Sequence, residues 1–373
     1  MAAADMTSDD RSSGQILAWS KALVAPAMRR AVESLPASMG HIAGYHLGWW
    51  DAGGKAAPSD GGKAIRPALT LLSAGAVGGA YEDAVASAVA VELVHNFSLL
   101  HDDVIDGDET RRHRHTAWRV FGVGNAILAG DALLALAIDV LMEAGGSGRS
   151  EMVRTLCATV EALIDGQFDD VAFESRADVA LEECIHMAEH KTGALLSCAC
   201  SLGGLAGGGG PEQVLHLREF GGRLGLAFQV ADDLQGIWGD PVATGKPGYS
   251  DLRNRKKSLP VVAALVSGTP AGHELASWYR RDAPIAGADV DRLAALVDEA
   301  GGKAWSHARL ARLQSEALFH LRSAALAEPA ATDLATLVRL VAGGLPTYTS
   351  TSELIPPASG PPRPPLARDA DLT

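Results

Sequence analysis

Three aspartates, Asp102, Asp103 and Asp106, end a long apolar run that begins near Val91. On a helix, Asp102 and Asp106 lie one turn apart on one face, and such a pair can chelate a hard cation. Magnesium fits the pattern, because it takes oxygen ligands and is held by one or two carboxylates together with substrate phosphates. A calcium loop does not. Counted from Asp102, its third position is Val104 and its twelfth is His113, where an EF-hand needs an oxygen ligand and a glutamate. A second apolar run, from Gly222, ends similarly at Phe228-Gln229-Val230-Ala231-Asp232-Asp233. Adjacent, partly buried carboxylates repel unless a cation joins them.

Basic residues accompany both ends. Gly61-Gly62-Lys63-Ala64-Ile65-Arg66-Pro67 is a glycine turn entering a helix, where exposed N–H groups and two cations can hold a phosphate. Arg111 and Arg112 follow the first Asp cluster, and Lys191 and Thr192 follow the run Leu181 to His190. A lone acidic helix end or basic pair reads as solvated surface. Five cations flanking two carboxylate sites do not read that way. Gly239 to Lys246 fails as a nucleotide-binding P-loop, since five residues separate Gly239 from Gly245 and Pro247 replaces the Ser or Thr. It serves better as a mobile basic lid carrying Lys246, with Lys256 and Lys257 following. His101, His113 and His115 make a poor transition-metal set, because His113 and His115 lie beside Arg112 and Arg114.

Positioning these residues requires helices. Apolar spacing predicts them near Ile16 to Leu35, Ala64 to Val77, Ala84 to Val104, Asn125 to Met142, Glu151 to Phe173, Leu181 to Leu205, Pro211 to Trp238 and Leu259 to Val266, and through Ala288 to Leu340. Glycine clusters at Gly53 to Gly62, Gly145 to Gly148 and Gly203 to Gly210 read as helix ends or loops. The expectation is an all-α, single-domain bundle over residues 16–345, with the two Asp-ended helices facing each other across one cavity. Residues 1–15 and the Pro-rich 346–373 are expected to be disordered, and Leu354 to Pro365 could tether the chain to a partner protein or protein compartment. A net charge of -13 argues against binding nucleic acid or acidic membrane. Cys157, Cys184, Cys198 and Cys200 lack metal-type spacing and read as reduced core residues in a cytoplasmic protein. No signal peptide is read at the N-terminus. The apolar stretch Ile127 to Ala144 is interrupted by Asp131 and Asp139, so no membrane insertion is expected.

The series Gly61-Gly62-Lys63-x-x-Arg66-Pro67, Glu92-x-x-His95-x-x-Ser98-Leu99-Leu100-His101-Asp102-Asp103-x-x-Asp106, Arg111-Arg112, Lys191-Thr192-Gly193, Phe228-Gln229-x-x-Asp232-Asp233 and Thr244-Gly245-Lys246-Pro247 resembles the trans-prenyl diphosphate synthases. The resemblance implies the type I isoprenoid synthase fold, a homodimer, and condensation of isopentenyl diphosphate with an allylic diphosphate. It implies several magnesium ions at Asp102, Asp103, Asp106, Asp232 and Asp233. It assigns the allylic diphosphate to Arg111, Lys191, Thr192, Gln229, Lys246 and Lys256, and isopentenyl diphosphate to Lys63, Arg66, His95 and Arg112. By the same resemblance the allylic C–O bond ionises, isopentenyl diphosphate adds, and the departing diphosphate removes a proton. Three positions depart from the family pattern: Gly236 stands where a third Asp is usual, His113 follows the Arg pair, and Arg255 replaces a Gly. A terpene cyclase would need no second diphosphate site, and a non-catalytic partner subunit would not need the full Asp set. Phe97 and Ser98 lie roughly 6 to 7.5 Å back along the helix from Asp102. By resemblance to members with an aromatic and a small residue there, the product has twenty carbons, with fifteen as the alternative.

Overall fold

The computed structural model describes residues 11–57, 62–144, 148–239, 249–281, 284–285 and 287–342. Gly61, Lys246 and most of the Gly239 to Lys246 stretch fall outside them, as do the Pro-rich end and the first ten residues. Helix α1 (Ser13–Glu33) starts at a capping box in which Ser12 and Gln15 satisfy each other's backbone N–H groups. It is followed by α2 (Ala37–His46), α3 (Ile65–Ala76) and a 3₁₀ turn, Tyr81–Ala84, that leads into α4 (Val85–Ile105). A short hairpin comes next, with β1 (Thr110–Arg111) antiparallel to β2 (Arg114–His115). Then follow α5 (Ala117–Phe121), α6 (Val123–Glu143), α7 (Arg149–Ser175), α8 (Leu181–Ala188), a π-helical turn at Glu189–Gly193, α9 (Ala194–Ala206) and α10 (Pro211–Trp238). Six helices complete the described chain: α11 (Ser250–Arg253), α12 (Leu259–Leu265), α13 (Pro270–Tyr279), α14 (Gly287–Glu299), α15 (Gly302–Ser323) and α16 (Ala330–Ala342).

Helix α3 is apolar on nearly every side, with Ala68, Leu69, Leu71 and Leu72 fully buried, as a helix at the centre of a bundle must be. It packs on α9, which packs on α10, while α4 packs on α6 and α10 on α15. Small residues set these spacings. A Cβ at Gly203 on α9 would sit 2.1 Å from the Thr70 carbonyl oxygen of α3, and one at Gly221 on α10 would sit 2.5 Å from the Leu196 carbonyl oxygen of α9. A smaller apolar cluster around Leu252, Val261, Leu275, Leu293 and Val297 joins the end of α10 to α11–α14.

The all-α expectation needs one amendment, the hairpin, which two-residue strands leave without an alternating pattern. Gly203 and Gly204 are helix interior rather than helix end, because their role is close approach. The run Leu181 to Leu205 is not one helix, being interrupted by the π turn, and α2 and α13 were not anticipated. Two helical segments, Tyr81–Ile105 and Val123–Glu143, are long and apolar enough to cross a membrane by length and composition alone, Asp131 and Asp139 notwithstanding. Both contribute to the bundle core, with Leu93, Val94 and Leu100 of the first and Ala129, Leu133 and Leu141 of the second fully buried. The four cysteines are free, and burial pushes the Cys198 and Cys200 thiols up to about 12, which makes them inert packing groups. Since the Gly203 contact is with backbone, Gly203→Ala should lower stability by about 1–3 kcal/mol in denaturant titration. An unchanged midpoint would show that the α3–α9 spacing can relax.

Candidate active site

The carboxylates of α4 stand at its C-terminal end, where the helix dipole disfavours negative charge. Helix stability is therefore not their purpose. Asp102 is half-buried and Asp106 exposed. Burial pushes Asp102 up to about 6; Lys191 opposes this and Asp106 reinforces it. Asp103 behaves differently. Its side chain is buried and takes a 2.7 Å hydrogen bond from Arg111 Nε, with burial still holding its pKa at about 6. The expected metal ligand Asp103 and the expected diphosphate contact Arg111 are thus paired with each other.

That pairing depends on the hairpin. Arg112 and His113 form its turn with left-handed φ values of 52° and 61°. Arg114 fixes it from behind by donating to the carbonyls of Tyr45 and Trp50 at 3.1 and 2.8 Å. Arg112 then reaches the glycine turn before α3: a Cβ at Gly62, whose φ is +103°, would lie 2.9 Å from Arg112 Nη2. Lys63 follows Gly62 directly. Around this junction sit Arg66, whose pKa burial lowers against the pull of Glu92, and Glu92, whose pKa burial raises against Arg66 and Arg112. His95 is held well below its ordinary pKa by burial and by Arg66 and Arg112, so it is neutral, and His46 is driven down to about 3 by burial and Arg112. Arg66 Nε and His46 Nε2 are buried without a hydrogen-bond partner among the described residues, which suits a site completed by an anionic ligand. The structure therefore gathers Arg66, His95 and Arg112, and adds Lys21, His46 and Glu92.

The second carboxylate pair repeats the division seen in the first. Asp233 is buried and accepts from Gln229 Nε2 at 2.7 Å and from the Leu259 backbone N–H at 2.9 Å, the latter at the start of α12. Burial raises it to about 7, with Lys256 opposing. Gln229 in turn accepts from Thr192 Oγ1 at 2.6 Å, and Lys191 Nζ lies 2.5 Å from Asp170 Oδ2 on α7. Burial would lower the Lys256 pKa, but Asp233, Asp170, Asp251 and Asp232 together push it above its ordinary value. Asp106 also feels Lys191, Asp170 and Lys256, so Lys256 stands in a field common to both Asp-ended helices. Asp233 and Gln229, read from sequence as metal ligand and diphosphate contact, are joined here to each other and to Thr192.

Asp251 accounts for Gly236. A Cβ at position 236 would fall 2.4 Å from Asp251 Oδ2 and 2.8 Å from Oδ1, so the α11 carboxylate fills the room a side chain there would need. Sequence reasoning missed Asp251 because it sits 15 residues further along (251 − 236) on a separate helix. Asp170 carries no distinguishing signal in the sequence, lying among Asp165, Gln167, Asp169 and Glu174 on a polar stretch of α7, and the spacing of Glu92 assigns it no role. Lys246 lies outside the described residues.

Residues 51–297 match the polyprenyl synthetase family model. The chain belongs to that family. It is 45% identical over 301 residues to a (2E,6E)-farnesyl diphosphate synthase of Mycobacterium bovis, covering 80% of this chain and 84% of the relative. A polyprenyl synthetase structure from Streptomyces coelicolor superposes with a TM-score of 0.84 at 47% identity, over 87% of this chain and 98% of that one. A geranylgeranyl pyrophosphate synthase from Corynebacterium glutamicum, solved with isoprenyl diphosphate and magnesium, gives 0.75 at 25% identity, over 89% and 99%. The activity is that of a prenyltransferase, as the motifs implied, and the helical bundle is the fold of these synthases.

The raised carboxylates make a prediction for the metal-free protein. Asp233 holds its proton to about pH 7 when folded but only to about 3.9 when unfolded. Between those values the folded state binds more protons, so this group's contribution to stability falls as pH rises. Asp233→Asn cannot ionise, and its melting temperature relative to wild type should climb between about pH 4 and about pH 7 and level off above. A constant difference would mean that Asp233 is already charged at the lower pH.

Proposed function

We propose that this protein condenses isopentenyl diphosphate with an allylic diphosphate to give a linear trans-prenyl diphosphate of twenty carbons, with fifteen as the alternative. One observation carries the reading: two Asp-ended helices share a field with Lys256, with Lys191 beside the first, and a separate cluster holds Arg66 and Arg112 close to buried His95. Two anionic substrates need two such sites, whereas a cyclase needs one. Asp102, Asp106 and Asp232 are the groups to hold magnesium, as oxygen donors on hydrated flanks, with Asp251 supplying the carboxylate that Gly236 lacks. Asp103 and Asp233 act as positioning residues, one fixing Arg111 and the hairpin, the other tying α10 to α12. Magnesium, when bound, would neutralise charge growing on the leaving diphosphate as the allylic C–O bond ionises.

Lys191, Lys256 and Lys246 bind the allylic diphosphate, with Thr192 and Gln229 orienting the Lys191 turn. Lys63, Arg66, Arg112 and neutral His95 bind isopentenyl diphosphate, and Glu92 keeps the arginines oriented. The apolar wall behind Asp102 excludes water from the cation. Phe97 on that wall is buried and edge-on to His101 at 4.8 Å, while Ser98 is small and half-buried, which supports the longer product. A homodimer is supported by an apolar stripe on α7 that the described residues leave exposed, with Ile164 58% and Phe168 71% exposed, and by exposed Leu128 and Met142 on α6. The free cysteines are compatible with a cytoplasmic setting.

Incubation with magnesium, isopentenyl diphosphate and each allylic primer, read by chromatography of the dephosphorylated products, tests the reading. A linear prenyl alcohol is expected; a cyclic hydrocarbon or no product would overturn it. Asp102→Ala should lower turnover by about 100-fold or more, the scale of losing one fixed electrostatic stabiliser. Lys63→Ala should raise the Michaelis constant for isopentenyl diphosphate and leave that of the primer unchanged. Gly236→Asp should impair the enzyme despite restoring the usual motif, because the new carboxylate collides with Asp251. Asp251→Ala in the same chain should then recover activity. Independent, additive losses would show that the two positions do not share one space.

A further inference from the structure

Away from the two Asp clusters, three side chains from different elements converge on the far side of the turn that carries Lys191. His186 on α8 and His190 in the π turn are four residues apart, with ring centroids 3.9 Å from each other. Asp165 on α7 faces both: its Oδ2 lies 2.9 Å from His190 Nδ1 and 3.8 Å from His186 Nε2. One ligand atom from each residue lies within 4.8 Å of the other two.

We propose that Asp165, His186 and His190 form a binding site for a borderline transition-metal cation of the zinc class. The donor set decides the class. Two imidazoles and one carboxylate suit zinc, cobalt or nickel, whereas magnesium prefers oxygen ligands and retains its water. A tetrahedral zinc with bonds of about 2.0–2.1 Å sets its ligands about 3.3 Å apart, and the two separations from Asp165 Oδ2 straddle that value. The remaining pair, one nitrogen from each imidazole, lies within 4.8 Å. Three protein ligands leave the fourth position to water.

The backbone beneath the site is fixed by contact. A Cβ at Gly166 would lie 2.4 Å from the Lys191 backbone nitrogen and 2.9 Å from His190 Cβ, so α7 and the π turn are in close contact beside Asp165. The π turn matters here, because it directs His190 to Asp165 and the next residue, Lys191, to Asp170. A cation on these ligands bridges α7, α8 and the turn without using any carboxylate assigned to magnesium.

The test is cobalt titration of the full-length protein in saturating magnesium, followed by the visible absorption of tetrahedral cobalt, with zinc competition as a check. One equivalent per chain is expected. Loss of an outer partner of a metal ligand typically costs about 10–100-fold in affinity, so His186→Ala, which removes a direct ligand, should weaken binding by at least that much. His186 is exposed and its removal leaves the core intact. Asp165→Asn, which preserves shape, should weaken binding as well, while Asp102→Ala should not. Equal binding by wild type, His186→Ala and Asp165→Asn would overturn the proposal and leave only a surface His–Asp hydrogen bond. Loss of the signal in Asp102→Ala, or its displacement by magnesium, would overturn it too.

Discussion

A carboxylate buried at the end of an apolar helix is costly unless charge and hydrogen bonds meet it, and the site is organised around that requirement. Asp233 has the Gln229 amide, the Leu259 N–H and the nearby Lys256, yet its pKa remains near 7. Asp103 has Arg111, yet remains near 6. The cations are therefore as constrained as the anions. Lys256 is held charged by four carboxylates, and Lys191 is drawn to Asp170. These pairs join α7, α10 and the segment before α12 at the site, on a frame that the apolar core and the close glycine contacts hold together.

The hydrogen-bonded chain Thr192–Gln229–Asp233–Leu259 links three elements that are remote in sequence. It starts in the π turn, a local underwinding that tends to mark function because it forfeits regular hydrogen bonding to redirect side chains. Gly166 and Gly225 make the turn possible. A Cβ at Gly225 would lie 2.7 Å from Gly193 Cα, so α7 and α10 clasp the turn from both sides. Rigidity at Lys191 thus comes from backbone contact rather than from the lysine's own ion pair.

Much of this was legible in the sequence. The helix Pro211 to Trp238 is found with its predicted bounds, because Pro at its first turn and apolar spacing agree, and the helices carrying Asp102 and Asp232 were placed correctly. What periodicity cannot show is a change of helical pitch, and so Leu181 to Leu205 was read as one helix. Nor can it tell a glycine that ends a helix from one that lets two helices touch, as Gly203 does. Within the site, residue types were readable but directions were not. Asp102 and Asp103 differ by about 100° around α4, and the hairpin, too short to leave a pattern, brings Arg111 to Asp103. The His186–His190 spacing was visible in the sequence, but without Asp165 from α7 it reads as an ordinary polar helix face.

The same distinction between type and direction bears on Gly236. Compared with a linear motif, the chain has lost an acidic residue; in space, Asp251 stands where that residue would go. Asp251 sits on α11, two residues beyond Tyr249, itself in a left-handed conformation that starts the short helix. Its carboxylate acts on Asp233 by raising the pKa and on Lys256 by doing likewise, so it belongs electrically to the second cluster. Asp251 is carried on α11, beyond residues 240–248, whereas a carboxylate at position 236 would belong to α10. The negative charge beside Gly236 is thus supplied from a different part of the chain, and it bears on Asp233 and Lys256 from there.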